Sequence, residues 1–207
     1  MKKIQHITNK IKTVLKDKKA PKIGVTFSGG GARAVTHIGI IKAFEEHGIK
    51  ADFVAGTSGG AIIAALYAAG VSVEKMKELA GQGSLFKIYK AGLPIKGFTS
   101  LEYLGELLQE YIGVNTFEEL QLPLSVVAAN LLTGEKETLN EGALYPAIMA
   151  SCAIPILFEP VEINGQLYVD GGIFDNMPVS PLQNTCDLII GVNVTPNLLL
   201  PVESVSN

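Results

Sequence analysis

Tryptophan is absent from this chain, and only two cysteines, Cys152 and Cys186, occur in it. Neither lies in a Cys-x-x-Cys pattern, so no disulfide framework and no metal-binding cysteine site is predicted. No apolar run approaches the roughly 18–20 residues that span a bilayer, and the lysine-rich start has no continuous apolar segment of a secretory signal. These absences indicate a cytoplasmic protein with reduced thiols, and its 207 residues suit one domain with an appendage.

Basic residues are scarce beyond the start of the chain. Residues 1–22 contain eight lysines and one aspartate, whereas the rest contains nine basic and nineteen acidic residues. The acidic body argues against nucleic acid as a partner. Apolar residues recur at helical spacing between the lysines, so we predict a basic amphipathic helix within residues 1–21, followed by a domain of residues 22–207. That helix fits peripheral contact with an anionic membrane and fits an ordinary packing helix equally well.

Apolar periodicity predicts an α/β protein with a parallel sheet. Short apolar strands at 22–28 and 51–57 are each followed by a helix, at 34–48 and 59–69, and this alternation is typical of parallel strands with helical crossovers. Further along the chain, the pattern predicts strands at 124–132, 135–140 and 187–195, an amphipathic helix at 100–113, and a hairpin turn at Asn164-Gly165. Residues 81–98 are aperiodic and are expected to form a loop or cover.

The first glycine-rich corner follows the first predicted strand and consists of Gly29, Gly30, Gly31, Ala32 and Arg33. Glycines here let backbone N–H groups converge at a helix N-terminus, which favours an anion. The same letters fit the dinucleotide pattern G-x-G-x-x-A, so a dinucleotide-binding protein is one alternative. That reading expects an acidic residue at the end of the second strand, whereas Asp52 begins it.

The second corner, Gly56-Thr57-Ser58-Gly59-Gly60, is a G-x-S-x-G pattern between a strand and a helix. This setting is typical of a nucleophile elbow, in which flanking glycines permit the strained turn and give a substrate access to the serine hydroxyl. The alternative is that Ser58 only caps the helix that follows.

Histidine is missing where a serine hydrolase of the common type needs it. His6, His37 and His47 all precede Ser58, whereas the α/β-hydrolase order is serine, acid, histidine. His6 and His47 are expected in solvent and His37 in a packed structural position. A third corner, Asp170-Gly171-Gly172, ends a strand in a carboxylate that could replace the histidine, unless Asp170 merely bonds its own turn.

Together these corners resemble the patatin-like phospholipases, especially the small bacterial members. The likeness runs from about Lys22 to Thr195 and rests on GGGARAVTHIGIIKAFEEHGI, GTSGGAI, ASCAIP at 150–155 and EINGQLYVDGGIFDNMPV at 162–179. It implies a three-layer α/β/α fold with a mostly parallel central sheet, and a lipolytic serine esterase or phospholipase without a cofactor or metal.

The resemblance also assigns roles residue by residue. Ser58 is then the nucleophile and Asp170 the base of a Ser-Asp dyad. Gly29, Gly30, Gly31 and Arg33 form the oxyanion loop, and Gly56, Gly59 and Gly60 shape the elbow. Asp175 is expected to be a surface or capping residue.

The substrate would be a phospholipid or another lipid ester. Residues that would line an acyl groove, or equally belong to the core, are Leu93, Pro94, Ile95, Phe98, Ile154, Ile156, Leu157 and Phe158. A non-catalytic interaction protein that keeps the fold is the other alternative to the enzyme.

Overall fold

The computed structural model describes residues 20–83 and 101–195. The predicted basic N-terminal helix and most of the predicted cover segment lie outside the described residues, as do four of the proposed groove residues (Leu93, Pro94, Ile95 and Phe98). Nowhere in the described ranges is a helix long and apolar enough to cross a membrane.

Seven strands and five α-helices make up the described ranges. The strands are β1 (Ile23–Phe27), β2 (Phe53–Thr57), β3 (Leu124–Asn130), β4 (Glu135–Leu139), β5 (Val161–Ile163), β6 (Gln166–Asp170) and β7 (Leu188–Val192). The helices are α1 (Thr36–Glu46), α2 (Gly59–Ala68), α3 (Val73–Gly81), α4 (Glu102–Ile112) and α5 (Leu144–Cys152). Short 3-10 turns occupy Gly31–Val35, Phe117–Glu119, Gly171–Ile173 and Ser180–Leu182.

The strands form one mixed, mostly parallel sheet, so the α/β prediction is confirmed. β7, β1, β2 and β3 are parallel neighbours in that order. β4 and β6 pair antiparallel with β3, and β5 pairs antiparallel with β6. β7 pairs with β1 at one edge of the sheet as far as the described residues go, and it is half-buried there.

The two faces of the sheet are covered differently. Alternate strand residues, such as Val25 and Val54, join side chains from all five helices in the main hydrophobic core. The intervening residues face the other side, where the described chain that follows β6 crosses the sheet. There Cys186 and Leu182 lie so close to Gly24 that a Cβ on that glycine would be 2.8 Å from the cysteine sulfur.

Two strands approach each other head-on along one edge of β3. Thr57, the last residue of β2, pairs with Val127, and Asp170, the last residue of β6, pairs with the next residue, Ala128. Because β4 occupies the other edge of β3 at both positions, β2 and β6 must share the same edge. Since β2 runs parallel and β6 antiparallel to β3, their carboxyl ends meet there.

The turn before β6 follows the predicted hairpin chemistry. Asn164 and Gly165 have φ values of 52° and 77°, the left-handed pair that a type I′ turn requires. This turn reverses the chain between β5 and β6 and sets the register of that pair, in which Ile163 lies opposite Gln166.

We expect Gly165→Ala to lower the free energy of unfolding by about 1–2 kcal/mol, because a Cβ is disfavoured at that φ. Gly39→Ala is the matched control, since Gly39 lies on the exposed face of helix α1 with nothing within 4 Å of an added Cβ. There alanine should stabilise by roughly 0.5–1 kcal/mol. Urea unfolding of both variants measures the difference, and an equal response at the two positions would contradict the role given to the turn.

Candidate active site

Ser58 lies at the corner between β2 and α2 in a conformation that serine rarely adopts. Its φ of 54° and ψ of −130° fall in a sparsely populated region, and its side chain makes no capping hydrogen bond to α2. The capping interpretation of Ser58 is therefore wrong. Ser58 is only 4% exposed, so its side chain is almost fully shielded from solvent.

Glycines at both ends of the corner allow α2 to start against the strands. A Cβ on Gly60 would collide with the carbonyl oxygen of Phe27, and a Cβ on Gly56 would be 2.6 Å from the carbonyl oxygen of Gly60. Helix α2 is apolar on all sides and buried along most of its length. The strained corner is thus held by a tightly packed helix behind it.

Asp170 is 6% exposed at the end of β6. Its N–H donates to the carbonyl of Ala153 at 2.9 Å, and its Oδ1 accepts from the N–H of Gly172 at 2.7 Å. Asp170 therefore does bond its own turn, as one of the alternatives expected, while it also faces Ser58.

Burial raises the pKa of Asp170 above its ordinary value, and hydrogen bonding from the Ser58 side chain and from the Gly172 N–H opposes that rise. The Cys152 thiol lies close enough for the Asp170 charge, added to burial, to raise the cysteine pKa. The structure thus brings together the side chains of Ser58 and Asp170.

The glycine corner lies beside Ser58. A Cβ on Gly29 would be 3.1 Å from the Cβ of Ser58 and 2.5 Å from Oδ1 of Asn176. The N–H of Gly29 donates to the Asn176 carbonyl at 2.9 Å, which occupies it. Gly30 and Gly31 open a 3-10 turn, where backbone N–H groups have no intrahelical acceptor.

Arg33 and Asp52 differ in their relation to this corner. The Arg33 side chain is exposed, and its Nε lies 4.0 Å from the position of a Cβ on Gly30. Asp52 lies at the opposite end of β2, where its Oδ2 accepts from the N–H of Ile23. A carboxylate there cannot reach a ligand at the glycine corner, which removes the support for dinucleotide binding.

Neither described histidine contacts Ser58. His37 is fully buried, its ring packs 5.1 Å from the Phe27 ring, and its Nε2 donates to the Ser28 carbonyl at 2.9 Å. Burial lowers the His37 pKa, so the ring is neutral and structural, as predicted. His47 is exposed at the end of α1, as predicted, and His6 lies outside the described residues.

The remaining candidates separate by burial. Phe158 belongs to the core and Ile154 packs against it, whereas Ile156 is 82% exposed and Leu157 is 39% exposed. Asp175 forms an ion pair of 2.6 Å with the exposed Lys136, which agrees with the surface position expected for it. In residues 20–83 and 101–195, no group of three or more histidine, cysteine, aspartate or glutamate residues could hold a metal ion.

Sequence reasoning missed two residues that contact the site. Ser151 Oγ accepts from the N–H of Ser58, and the Asn176 carbonyl accepts from Gly29. Both occur in segments that carry the family resemblance, ASCAIP and FDNMPV, but nothing local in those segments indicates that the Ser151 side chain and the Asn176 backbone carbonyl make these contacts.

Two solved structures are similar to this fold. VipD from Legionella pneumophila aligns with a TM-score of 0.53 at 20% identity, over 76% of this chain and 47% of that one. ExoU from Pseudomonas aeruginosa aligns with a TM-score of 0.53 at 18% identity, over 66% and 39%. At these identities the likeness shows the fold alone, and it agrees with the expected α/β fold with a mostly parallel central sheet.

Sequence comparison then gives the family. The model of the patatin-like phospholipase family matches residues 25–182, so the chain belongs to that family. An uncharacterized NTE family protein of Mycobacterium tuberculosis is 32% identical over 182 residues, 84% of this chain and 49% of that protein. Lysophospholipase NTE1 of Saccharomyces cerevisiae is 30% identical over 179 residues, 83% and 11%. The chain thus spans about half of the first relative's length and about a tenth of the second's.

We expect Asp170→Asn to raise the melting temperature at neutral pH. Because the folded-state pKa is raised, the folded protein binds a proton more readily than the unfolded chain, so the ionised carboxyl destabilises the fold near pH 7. Asparagine removes that charge and keeps an acceptor for Gly172. Each kcal/mol gained corresponds to about 2–4 °C in a chain of this size.

Thermal unfolding of both proteins at a series of pH values tests this expectation. The advantage of the variant should shrink as the pH falls through the raised pKa of Asp170 in the wild-type protein, because the wild type then loses its penalty. A variant that melts below the wild type at neutral pH would show that the hydrogen bonds to the carboxylate outweigh its burial.

Proposed function

We propose that this chain is a serine acyl hydrolase that cleaves lipid acyl esters, as a phospholipase A or a lysophospholipase, through a Ser58-Asp170 dyad. One observation carries the proposal: β2 and β6 meet head-on along β3, which places a strained, buried serine against a buried carboxyl. A nucleophile and its base need this contact, and no imidazole is available in the described ranges to supply the base.

The substrate class follows from the relatives rather than from a groove. The matched family carries the description patatin-like phospholipase, and the yeast relative is named a lysophospholipase. Both names indicate acyl esters of glycerophospholipids, and we carry that class over to this chain. Peripheral contact with anionic lipid through the basic N-terminal helix stays a prediction, since that segment lies outside the described residues.

In the acylation step, Asp170 accepts the hydroxyl proton of Ser58 while Oγ bonds to the ester carbonyl carbon and the carbonyl oxygen takes the electron pair. When this intermediate collapses, the bond to the alcohol breaks and the alcohol leaves with the proton from Asp170. An ordinary aspartate, with a pKa of about 3.9, is a weak base, and burial raises the pKa of Asp170 in the direction that suits this task.

In the deacylation step, water repeats the same proton transfers. It bonds to the acyl carbon and gives a proton to Asp170, and the acid leaves as that proton returns to Ser58 Oγ. Hydrolysis is then complete and both side chains have regained their starting states.

The oxyanion donors in this proposal are the N–H groups of Gly30 and Gly31. The N–H of Gly29 is occupied by Asn176, and the N–H of Ser58 by Ser151, so neither is free to bind a developing charge. Gly30 and Gly31 lie at the start of the 3-10 turn beside Ser58, with the Arg33 side chain available to support the loop or its charge.

The full chain treated with a fluorophosphonate should carry the adduct on Ser58, located by peptide mass spectrometry. We expect Ser58→Ala to lose hydrolysis of lysophosphatidylcholine and phosphatidylcholine by about 10³-fold or more while it keeps its circular dichroism spectrum. Product masses from each lipid would identify which acyl bond is cleaved.

His37→Gln is the control for a hidden triad, because glutamine keeps a donor for the Ser28 carbonyl. A folded His37→Gln protein should keep most of its activity. Loss of activity equal to that of Asp170→Asn would contradict the dyad, and an unlabelled wild-type protein would favour the non-catalytic alternative.

Gly30→Val should reduce the acylation rate by about 10²–10³, the usual effect of losing one oxyanion donor. A Cβ at Gly30 would be 2.8 Å from Cγ2 of Val194, so the loop must shift while Ser58 stays in place. Gly39→Val adds the same side chain to the exposed face of α1 and should leave the labelling rate unchanged. Similar rates for the two variants, or a thermal shift with a nicotinamide dinucleotide, would return the loop to the phosphate-binding interpretation.

A further inference from the structure

Ser151 is another buried serine, fully excluded from solvent near the end of α5. Its Oγ donates to the carbonyl of Val127 at 2.6 Å and accepts from the N–H of Ser58 at 2.8 Å. A hydroxyl has one proton, so donation to Val127 leaves only its lone pairs for the Ser58 N–H. Both hydrogen-bonding roles of this side chain are therefore fixed by its surroundings.

The bond to Ser58 meets a specific need of the corner. Ser58 has left the β2 ladder, its φ is positive, and its N–H is buried, so without Ser151 that donor would lose its partner. Val127, which accepts from Ser151, is also the residue paired with Thr57. The Ser151 hydroxyl therefore links the backbone of Ser58 to β3. The same strand, β3, also pairs with Asp170.

The same end of α5 also holds Asp170. Two residues beyond Ser151, the Ala153 carbonyl accepts from the N–H of Asp170 at 2.9 Å. The segment Ser151–Ala153 thus contacts the backbone on both sides of the pair, although Ser58 and Asp170 lie far apart in the sequence.

We infer that Ser151 is a positioning residue, which fixes the strained backbone of Ser58 so that its hydroxyl points at Asp170. This inference rests on the proposed function. Ser151 does not touch a substrate in this arrangement, because its only hydroxyl proton and the lone pair toward Ser58 are both in use. Its removal should therefore slow the chemical step and leave substrate binding almost unchanged.

The test compares Ser151→Ala with Thr26→Val in the full chain. Thr26 is also a fully buried hydroxyl residue of this sheet, but its Oγ1 has no hydrogen-bond partner in the described part of the chain. We expect Ser151→Ala to lower the fluorophosphonate labelling rate of Ser58 and the kcat for a soluble ester by about 10²-fold, the scale of a small misplacement, with KM little changed. Thr26→Val should label at the wild-type rate.

Ser151→Cys keeps a weaker donor and acceptor at the same position and should label at a rate between the wild type and Ser151→Ala. It also keeps the test decisive if the alanine variant does not fold. A folded Ser151→Ala or Ser151→Cys protein that labels Ser58 at the wild-type rate would overturn the inference. Failure of the proposed function is a different result, namely a wild-type protein that forms no adduct on Ser58.

Discussion

The structure depends on one constraint: two strands that run toward each other end on adjacent residues along the same edge of β3. β7, β1, β2 and β3 run parallel to one another, whereas β6 runs antiparallel to β3 and therefore points toward the end of β2. Hydrogen bonding to β3 fixes both ends, so the distance between Ser58 and Asp170 is set by a sheet ladder rather than by flexible loops. This placement gives the chain its candidate site.

Small residues let the surrounding chain come close enough to complete that arrangement. Glycines at the elbow allow the buried helix α2 to start against β1, and the glycine corner lies in contact with the Ser58 side chain. The resulting close packing keeps solvent away from the site, and this burial raises the pKa of Asp170. Close packing and base strength are therefore linked, because the same burial that holds the site together makes its carboxyl hold a proton more readily.

Strain at the site is balanced by packing around it. A positive φ at a serine is unfavourable by roughly 1–3 kcal/mol and persists only when its surroundings require it. Here the requirement comes from α2 behind the corner and from α5 beside it, and both helices are part of the main core. The neutral, fully buried His37 has a related task, since its bond to the Ser28 carbonyl supports the chain leading into the glycine corner.

Local chemistry determined what the sequence alone could predict. Strand-glycine-helix patterns and the Asn164-Gly165 turn act through backbone preferences of neighbouring residues, so these elements and the three corners were predictable from short stretches. Only the tertiary structure decided that Asp170 arrives head-on at Ser58, that Ser151 holds the Ser58 N–H and that Asn176 occupies Gly29. These contacts join residues at least 93 positions apart, and their geometry follows from strand register and helix packing, which no local pattern specifies.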